Sequence, residues 1–201
     1  YKYDYTTDTR MEKVIAKKGS DGTHLWEESV SITGGYCDIY GYPAGDLDGD
    51  GLDDVLVHLY KYDYTTDTRM EKVIAKKGSD GTHLWEESVS ITGGYCDIYG
   101  YPAGDLDGDG LDDVLVHLYK YDYTTDTRME KVIAKKGSDG THLWEESVSI
   151  TGGYCDIYGY PAGDLDGDGL DDVLVHLYKY DYTTDTRMEK VIAKKGSDGT
   201  H

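Results

Sequence analysis

The chain repeats itself without a single change every 59 residues, and this repeat limits its possible folds more than any other feature. The pentapeptide Tyr-Lys-Tyr-Asp-Tyr begins at residues 1, 60, 119 and 178. Three complete units, 1–59, 60–118 and 119–177, are followed by a partial fourth unit, 178–201. A unit of this size is near the lower limit for an independent core, so neighbouring units are expected to complete one another's burial.

Each unit is predicted to contain four β-strands. In the second copy these are Asp54–Tyr64, Arg69–Lys76, His83–Ile91 and Tyr95–Tyr101, after which Pro102 is expected to end the last strand. The first strand starts with an apolar run typical of a buried strand, and the third alternates apolar and polar residues. No segment shows the 3.6-residue periodicity of a helix.

Four short strands repeated in series predict an all-β fold of tandem, identical, four-stranded antiparallel β-propeller-like blades. The alternative is an open linear β-repeat array in a fibre. Closed propellers have about four to eight blades, so one chain of 201 residues is too short, whereas two chains would supply about seven. The chain starts within a strand and stops in a turn, so we expect a fragment of a longer array or a processed product.

Composition excludes several classes of partner. Forty acidic and twenty basic residues give a net charge of −20, which argues against binding nucleic acid or an anionic membrane surface. No apolar run is long enough for a membrane span, so no membrane insertion is expected. The three cysteines, one per unit, are predicted to be small buried hydrophobic residues.

The segment GDLDGDGLDD, residues 45–54, concentrates five aspartates in a glycine-rich turn. Asp46, Asp48, Asp50 and Asp54 occupy positions 1, 3, 5 and 9, and Leu52 at position 7 offers its backbone carbonyl. Hard oxygen ligands at alternate positions suit Ca²⁺, with Mg²⁺ as a second choice. The simpler interpretation is a solvated acidic turn, but the spacing together with both glycines favours a bound cation.

The same loop recurs in every complete unit. The predicted calcium ligands are Asp46, Asp48, Asp50, Leu52, Asp54, Asp105, Asp107, Asp109, Leu111, Asp113, Asp164, Asp166, Asp168, Leu170 and Asp172. Three divalent ions would add six charges and bring the net charge from −20 to −14. An EF-hand is excluded because Val57 stands at position 12, where that loop needs a glutamate, and because the flanking segments are strands.

Two stretches resemble known families. PAGDLDGDGLDDVLV, residues 43–57, resembles the FG-GAP/VCBS repeat, the calcium-loop blade of integrin α-chains and of bacterial and archaeal surface β-propellers. The resemblance implies that Asp46, Asp48, Asp50 and Asp54 bind calcium. VIAKKGSDGTHLW, residues 14–26, is more weakly similar to the strand-turn-strand of quinoprotein-type propeller blades, in which the glycine and the tryptophan pack together.

An enzyme is not expected. His58 lies within an apolar strand and His24 lies beside a turn, and neither belongs to a nucleophile or zinc-binding motif. The predicted function is a non-catalytic, calcium-stabilised structural or adhesive protein that self-associates into a fibre or surface array. Calcium loops of extracellular modules have a Kd of about 0.1–1 mM, which favours an extracellular or cell-surface location.

Two other functions remain open, namely a ligand-binding seven-bladed propeller formed by two chains and an engineered symmetric propeller. The predicted partner is the chain itself, as a homo-oligomer or polymer. Glycans are a second candidate, because residues 5–9 and 29–33 offer hydroxyls for O-linked sugars and the many tyrosines suit either sugar stacking or cross-strand packing. The chain has no asparagine and therefore no N-linked site.

Overall fold

The computed structural model describes all 201 residues as fourteen β-strands without a helix. The strands form four antiparallel sheets in series, of which the two central sheets have four strands and the two outer sheets have three. No segment forms a helix of the length and apolar character needed to cross a membrane. The predicted all-β fold of tandem four-stranded antiparallel units is confirmed.

Each sheet is a simple meander in chain order. Sheet 1 contains β1 (Lys2–Asp4), β2 (Thr9–Lys17) and β3 (His24–Thr33). Sheet 2 contains β4 (Gly35–Gly45), β5 (Asp54–Asp63), β6 (Thr68–Lys76) and β7 (His83–Thr92). Sheet 3 contains β8 (Gly94–Gly104), β9 (Asp113–Asp122), β10 (Thr127–Lys135) and β11 (His142–Thr151). Sheet 4 contains β12 (Gly153–Gly163), β13 (Asp172–Asp181) and β14 (Thr186–Lys194).

The boundaries between sheets differ from those that the sequence predicts. The sequence pattern places the first strand of a unit directly after the acidic loop. In the structure this loop lies inside a hairpin, between the first and second strands of a sheet. The chain leaves one sheet for the next at Gly93, which has a φ of +67° and donates its N–H to the Asp67 carbonyl at 3.0 Å. Sheet 2 therefore runs from Gly35 to Thr92.

The prediction that Pro102 ends its strand is wrong. Pro102 lies within β8, opposite Val114 of β9, and the strand continues to Gly104. The reason is that β8 is the edge strand of sheet 3. An edge strand has one row of backbone groups that pairs with no neighbour in its sheet, so it accepts a residue without an N–H.

The core lies between consecutive sheets, because successive residues of a strand point to opposite faces. In β6, Val73 packs with Ile98 towards sheet 3, whereas the next residue, Ile74, packs with Trp26 towards sheet 1. Both faces of a central sheet are therefore apolar. The cysteines belong to these cores, as predicted, with no exposed surface, and burial raises the pKa of the Cys96 thiol to about 12.

A tryptophan on the last strand of each of the first three sheets sets the contact with the next sheet. The indole N–H of Trp85 donates to the Gly137 carbonyl at 2.6 Å. Close by, Gly140 has a φ of +72°, and a Cβ there would lie only 2.6 Å from Cγ of Trp85. The same hydrogen bond joins Trp26 to Gly78 and Trp144 to Gly196. The ring thus needs both an acceptor and a glycine in the neighbouring turn.

Replacing Gly140 by alanine should destabilise the protein more than replacing Gly93. Both residues have a positive φ, which costs an alanine about 1–2 kcal/mol. Only at Gly140 would the new Cβ overlap the tryptophan ring, whereas at Gly93 it meets open space. We expect a further loss of about 1–3 kcal/mol for Gly140→Ala, measured by chemical denaturation. Equal losses in the two variants would contradict the packing role of Gly140.

Candidate metal centres

The acidic loop is a hairpin connection held at both ends by strand pairing. Gly45, the last residue of β4, pairs with Asp54, the first residue of β5, after a register shift at Pro43. Equivalent hairpins join β8 to β9 and β12 to β13. The loop therefore starts from a fixed base in each sheet, which limits where its aspartates can point.

Hydrogen bonds within the loop turn its carboxylates towards each other. The Asp46 carboxylate accepts the N–H groups of Gly49 at 2.8 Å and Gly51 at 2.9 Å. Asp48 accepts the N–H of Asp50 at 3.1 Å. Both glycines have φ values above +80°, which a residue with a side chain rarely adopts. The two glycines of the sequence pattern thus allow the loop to bend so that its carboxylates face inward.

Three groups of predicted ligands come together, each with side-chain oxygens within 4.8 Å of one another. The groups are Asp46, Asp48, Asp50; Asp105, Asp107, Asp113; and Asp164, Asp166, Asp172. The aspartates at positions 1 and 3 belong to all three groups. The third member is the aspartate at position 5 in the first loop and the aspartate at position 9 in the other two loops. Since these groups contain only side chains, the ligand role of the carbonyls of Leu52, Leu111 and Leu170 stays a prediction.

The aspartate at position 9 also holds the loop to the sheet. One oxygen of Asp54 accepts the Leu47 N–H and the other accepts the Gly78 N–H, each at 2.9 Å. Gly78 lies in the turn between β6 and β7, so the carboxylate links two connections of the same sheet. At the equivalent Asp113, which is fully buried, burial raises the pKa to about 6. A nearby cation would favour its charged form.

A lysine that the sequence analysis did not consider reaches into each loop. Lys136, in the turn after β10, lies 2.5 Å from Asp107 and 3.4 Å from Asp109. Lys77 pairs with Asp48 in the same way, and Lys195 lies 2.5 Å from Asp166. No local pattern could reveal these contacts, because each lysine lies on a different connection from the aspartates it meets.

The donor set fits calcium. Within the cluster, one buried oxygen of Asp48 has the Lys77 ammonium as its only partner. The ammonium shows that a positive charge is accommodated at this oxygen. Ca²⁺ takes six to eight oxygens in flexible geometry, so it accepts clustered carboxylates of this kind. Asp46, Asp48 and Asp50 would supply side-chain oxygens in the first loop.

Consecutive acidic loops are bonded directly to each other. The Asp46 N–H donates to the Asp112 carboxylate at 3.1 Å, and the Asp112 N–H donates to the Asp46 carbonyl at 3.2 Å. Asp105 and Asp171 repeat the pair at 3.0 and 2.9 Å. This position-8 aspartate had no predicted role. Its contact makes the acidic loops part of the junction between sheets.

Comparison of the chain with protein-family models, with curated proteins and with solved structures found no match. The similarities to FG-GAP/VCBS repeats and to quinoprotein blades therefore stay predictions from the residues. The geometry of the loops does not depend on them.

Removing the three loop lysines should strengthen calcium binding. In a variant carrying Lys77→Met, Lys136→Met and Lys195→Met, no ammonium group competes with the ion. Two unit charges 4 Å apart interact by about 1 kcal/mol in water, so an ammonium repels a divalent ion by about 2 kcal/mol, and we expect about thirtyfold tighter binding at each site. Isothermal titration calorimetry measures it.

The matched control replaces three lysines of the strands, Lys72→Met, Lys131→Met and Lys190→Met. It changes the net charge by the same amount, but Lys72 and Lys131 pair with Glu86 and Glu145 on the sheet surface. An equal gain in both variants would show that only the total charge matters and would refute competition within the loop.

Proposed function

We propose that the protein is a non-catalytic, extracellular structural repeat protein whose sheets are held together with the help of Ca²⁺ and which self-associates end to end. The observation that carries the proposal is the junction between sheets. Its tryptophan and lysine–glutamate contacts recur at all three steps along the chain, and two of the three junctions also include the acidic loops.

The junction repeats with the period of the sequence. Buried lysines on the third strand of one sheet form ion pairs with glutamates of the preceding sheet, and all three pairs are 2.9 Å long: Lys76 with Glu28, Lys135 with Glu87 and Lys194 with Glu146. Each central sheet therefore presents a lysine on one side and a glutamate on the other. A junction of two different faces is heterologous, and such contacts propagate into rings or filaments.

The two halves of this junction lie open at opposite ends of the chain. Ile15 of sheet 1 is 39% exposed, whereas its equivalents Ile74 and Ile133 are 6% and 5% exposed. Val191 of sheet 4 is 66% exposed, whereas its equivalent Val132 is fully buried. The open face of sheet 4 thus carries the residues that elsewhere pack against a face like that of sheet 1. A second copy of the chain supplies that face.

Calcium supports this stacking where two consecutive sheets both carry an acidic loop, because the loops then approach one another across the junction. Leu165, in the last loop, is 52% exposed, although its equivalent Leu106 is fully buried. Docking of a second copy would cover Leu165 with the turn around its Gly19, which is equivalent to the Gly137 that contacts Leu47. Neutralisation of the clusters lowers the repulsion between them. Calcium loops of this affinity class are filled at extracellular calcium concentrations, which supports an extracellular location.

Chelation of calcium should lower the Tm by about 10 °C. Calcium at ten times its Kd stabilises the folded chain by about 1.4 kcal/mol per site, and about 1 kcal/mol shifts the Tm of a chain of this size by 2–4 °C. Calorimetry with and without EGTA measures the change. The control variant, Asp46→Asn, Asp105→Asn and Asp164→Asn, should not respond to EGTA. A wild-type Tm that is the same with EGTA would refute the stabilising role of calcium.

Charges placed on the two open faces should block assembly in a complementary way. Ile15→Glu places a charge only on the open face of sheet 1, and Val191→Glu places one only on the open face of sheet 4. Each variant alone should therefore sediment as a single chain. An equal mixture should form particles of two chains, because one intact face of each kind remains. Wild type should form particles of two or more chains.

Analytical ultracentrifugation in millimolar calcium distinguishes these outcomes. A wild-type protein that stays a single chain at all concentrations would overturn the self-association. So would a mixture of the two variants that fails to pair while the wild type assembles, because the contact would then not be head to tail.

A further inference from the structure

A second group of metal-ligating side chains lies outside the acidic loops, between sheets 2 and 3. His58 on β5, Glu71 on β6 and Asp97 on β8 place one ligand atom each within 4.8 Å of the others. The closest pair is His58 Nε2 and Glu71 Oε2, 2.8 Å apart. This group plays no part in the proposed calcium binding.

The group is buried at the junction. His58 is 8% exposed and Glu71 is 3% exposed. Glu71 Oε2 also accepts the backbone N–H of Ile98 at 3.3 Å, so this carboxylate already contacts both sheets. Its burial, with Asp97 as a second carboxylate nearby, raises the pKa of Glu71 to about 7. Two carboxylates close together in a buried place are more stable beside a cation.

A cavity of about 300 Å³ opens onto these side chains and gives an ion a path to them. Five of its ten lining residues are tyrosines, and Asp38 and Arg69 line it as well. The Tyr99 ring lies 5.2 Å from the His58 ring, centroid to centroid. The other tyrosines that line the cavity are Tyr36, Tyr40, Tyr60 and Tyr95. The cavity exceeds the needs of one ion, so it leaves room for water to complete the coordination.

We propose that His58, Glu71 and Asp97 bind a divalent transition metal ion, Zn²⁺ being the best match, at a site separate from the calcium loops. One imidazole nitrogen and two carboxylate oxygens are a ligand set that Zn²⁺ accepts at 2.0–2.2 Å, with water as the fourth ligand. Ligand atoms around such an ion lie about 3.3 Å apart, so His58 and Glu71 need to separate only slightly. Calcium prefers oxygen ligands and would not select the imidazole.

Part of this arrangement recurs at the next junction. His117 Nε2 lies 3.1 Å from Glu130 Oε2, and Glu130 accepts the Ile157 N–H at 3.0 Å. Asp156 stands at the position of Asp97 and lines the corresponding cavity of about 390 Å³, but its carboxylate does not come within 4.8 Å of both partners. The chain therefore contains one complete set, at which an ion would join two strands of one sheet to the first strand of the next.

Cobalt is the probe, because Co²⁺ bound in a distorted tetrahedral site absorbs visible light, whereas Ca²⁺ and Zn²⁺ do not. We expect calcium-saturated protein to bind one Co²⁺ per chain with such an absorption, which Zn²⁺ abolishes and excess Ca²⁺ leaves unchanged. The variant His58→Gln, His117→Gln should lose the absorption. Retained calcium binding, measured by calorimetry, shows that this variant is folded.

The matched control is His83→Gln, His142→Gln, which removes two exposed histidines that lie 3.8 Å from Glu86 and Glu145. It should keep the full absorption. Loss of the signal in this control, its survival in the His58 and His117 variant, or the absence of any signal from the wild type would each overturn the proposal. Displacement of Co²⁺ by Ca²⁺ would do the same, since the ion would then occupy the acidic loops.

Discussion

Every feature of this fold depends on the fact that a sheet with two apolar faces must be covered on both sides. In each central sheet, the side chain at the position of Val73 packs against the next sheet, and the side chain at the position of Ile74 packs against the preceding sheet. A single unit cannot satisfy this requirement, because its two faces are different and cannot cover each other. The chain meets it by stacking copies, and the same requirement leaves one uncovered face at each end.

Charge acts against this stacking, since the arrangement that buries apolar surface also brings acidic loops together. Asp112 of one loop contacts Asp46 of the previous one, within a chain of net charge −20. Backbone N–H groups and the loop lysines offset this repulsion, and the proposed calcium ions would add to them. The hydrogen bonds are fixed, whereas an ion can enter or leave. The concentration of calcium would thus control how closely neighbouring sheets can pack.

The sequence predicted the strands and loops of the fold better than it predicted which of them contact one another. The strands and their buried faces follow from alternation within a few residues, and the aspartate spacing located the loops. The grouping of strands into sheets, the contact of Lys77 with Asp48 and the role of Asp112 did not follow. They depend on hairpin register and on contacts between sheets, which are set by residues far apart in the chain. Pro102 was misjudged because its tolerance depends on the edge position of β8.

Apolar packing alone does not decide how one sheet slides along another, because many positions bury similar area. Directional contacts decide it here, and they lie at different heights of the same strand. β5 begins at Asp54, beside the acidic loop, and His58 follows four residues later, about 13 Å further along the strand. Hydrogen bonds at both heights leave a single relative position for the two sheets. Since the junction between sheets 2 and 3 and that between sheets 3 and 4 use the same contacts, the relative position of the sheets is reproduced from one to the next, which is the condition for regular growth by identical units.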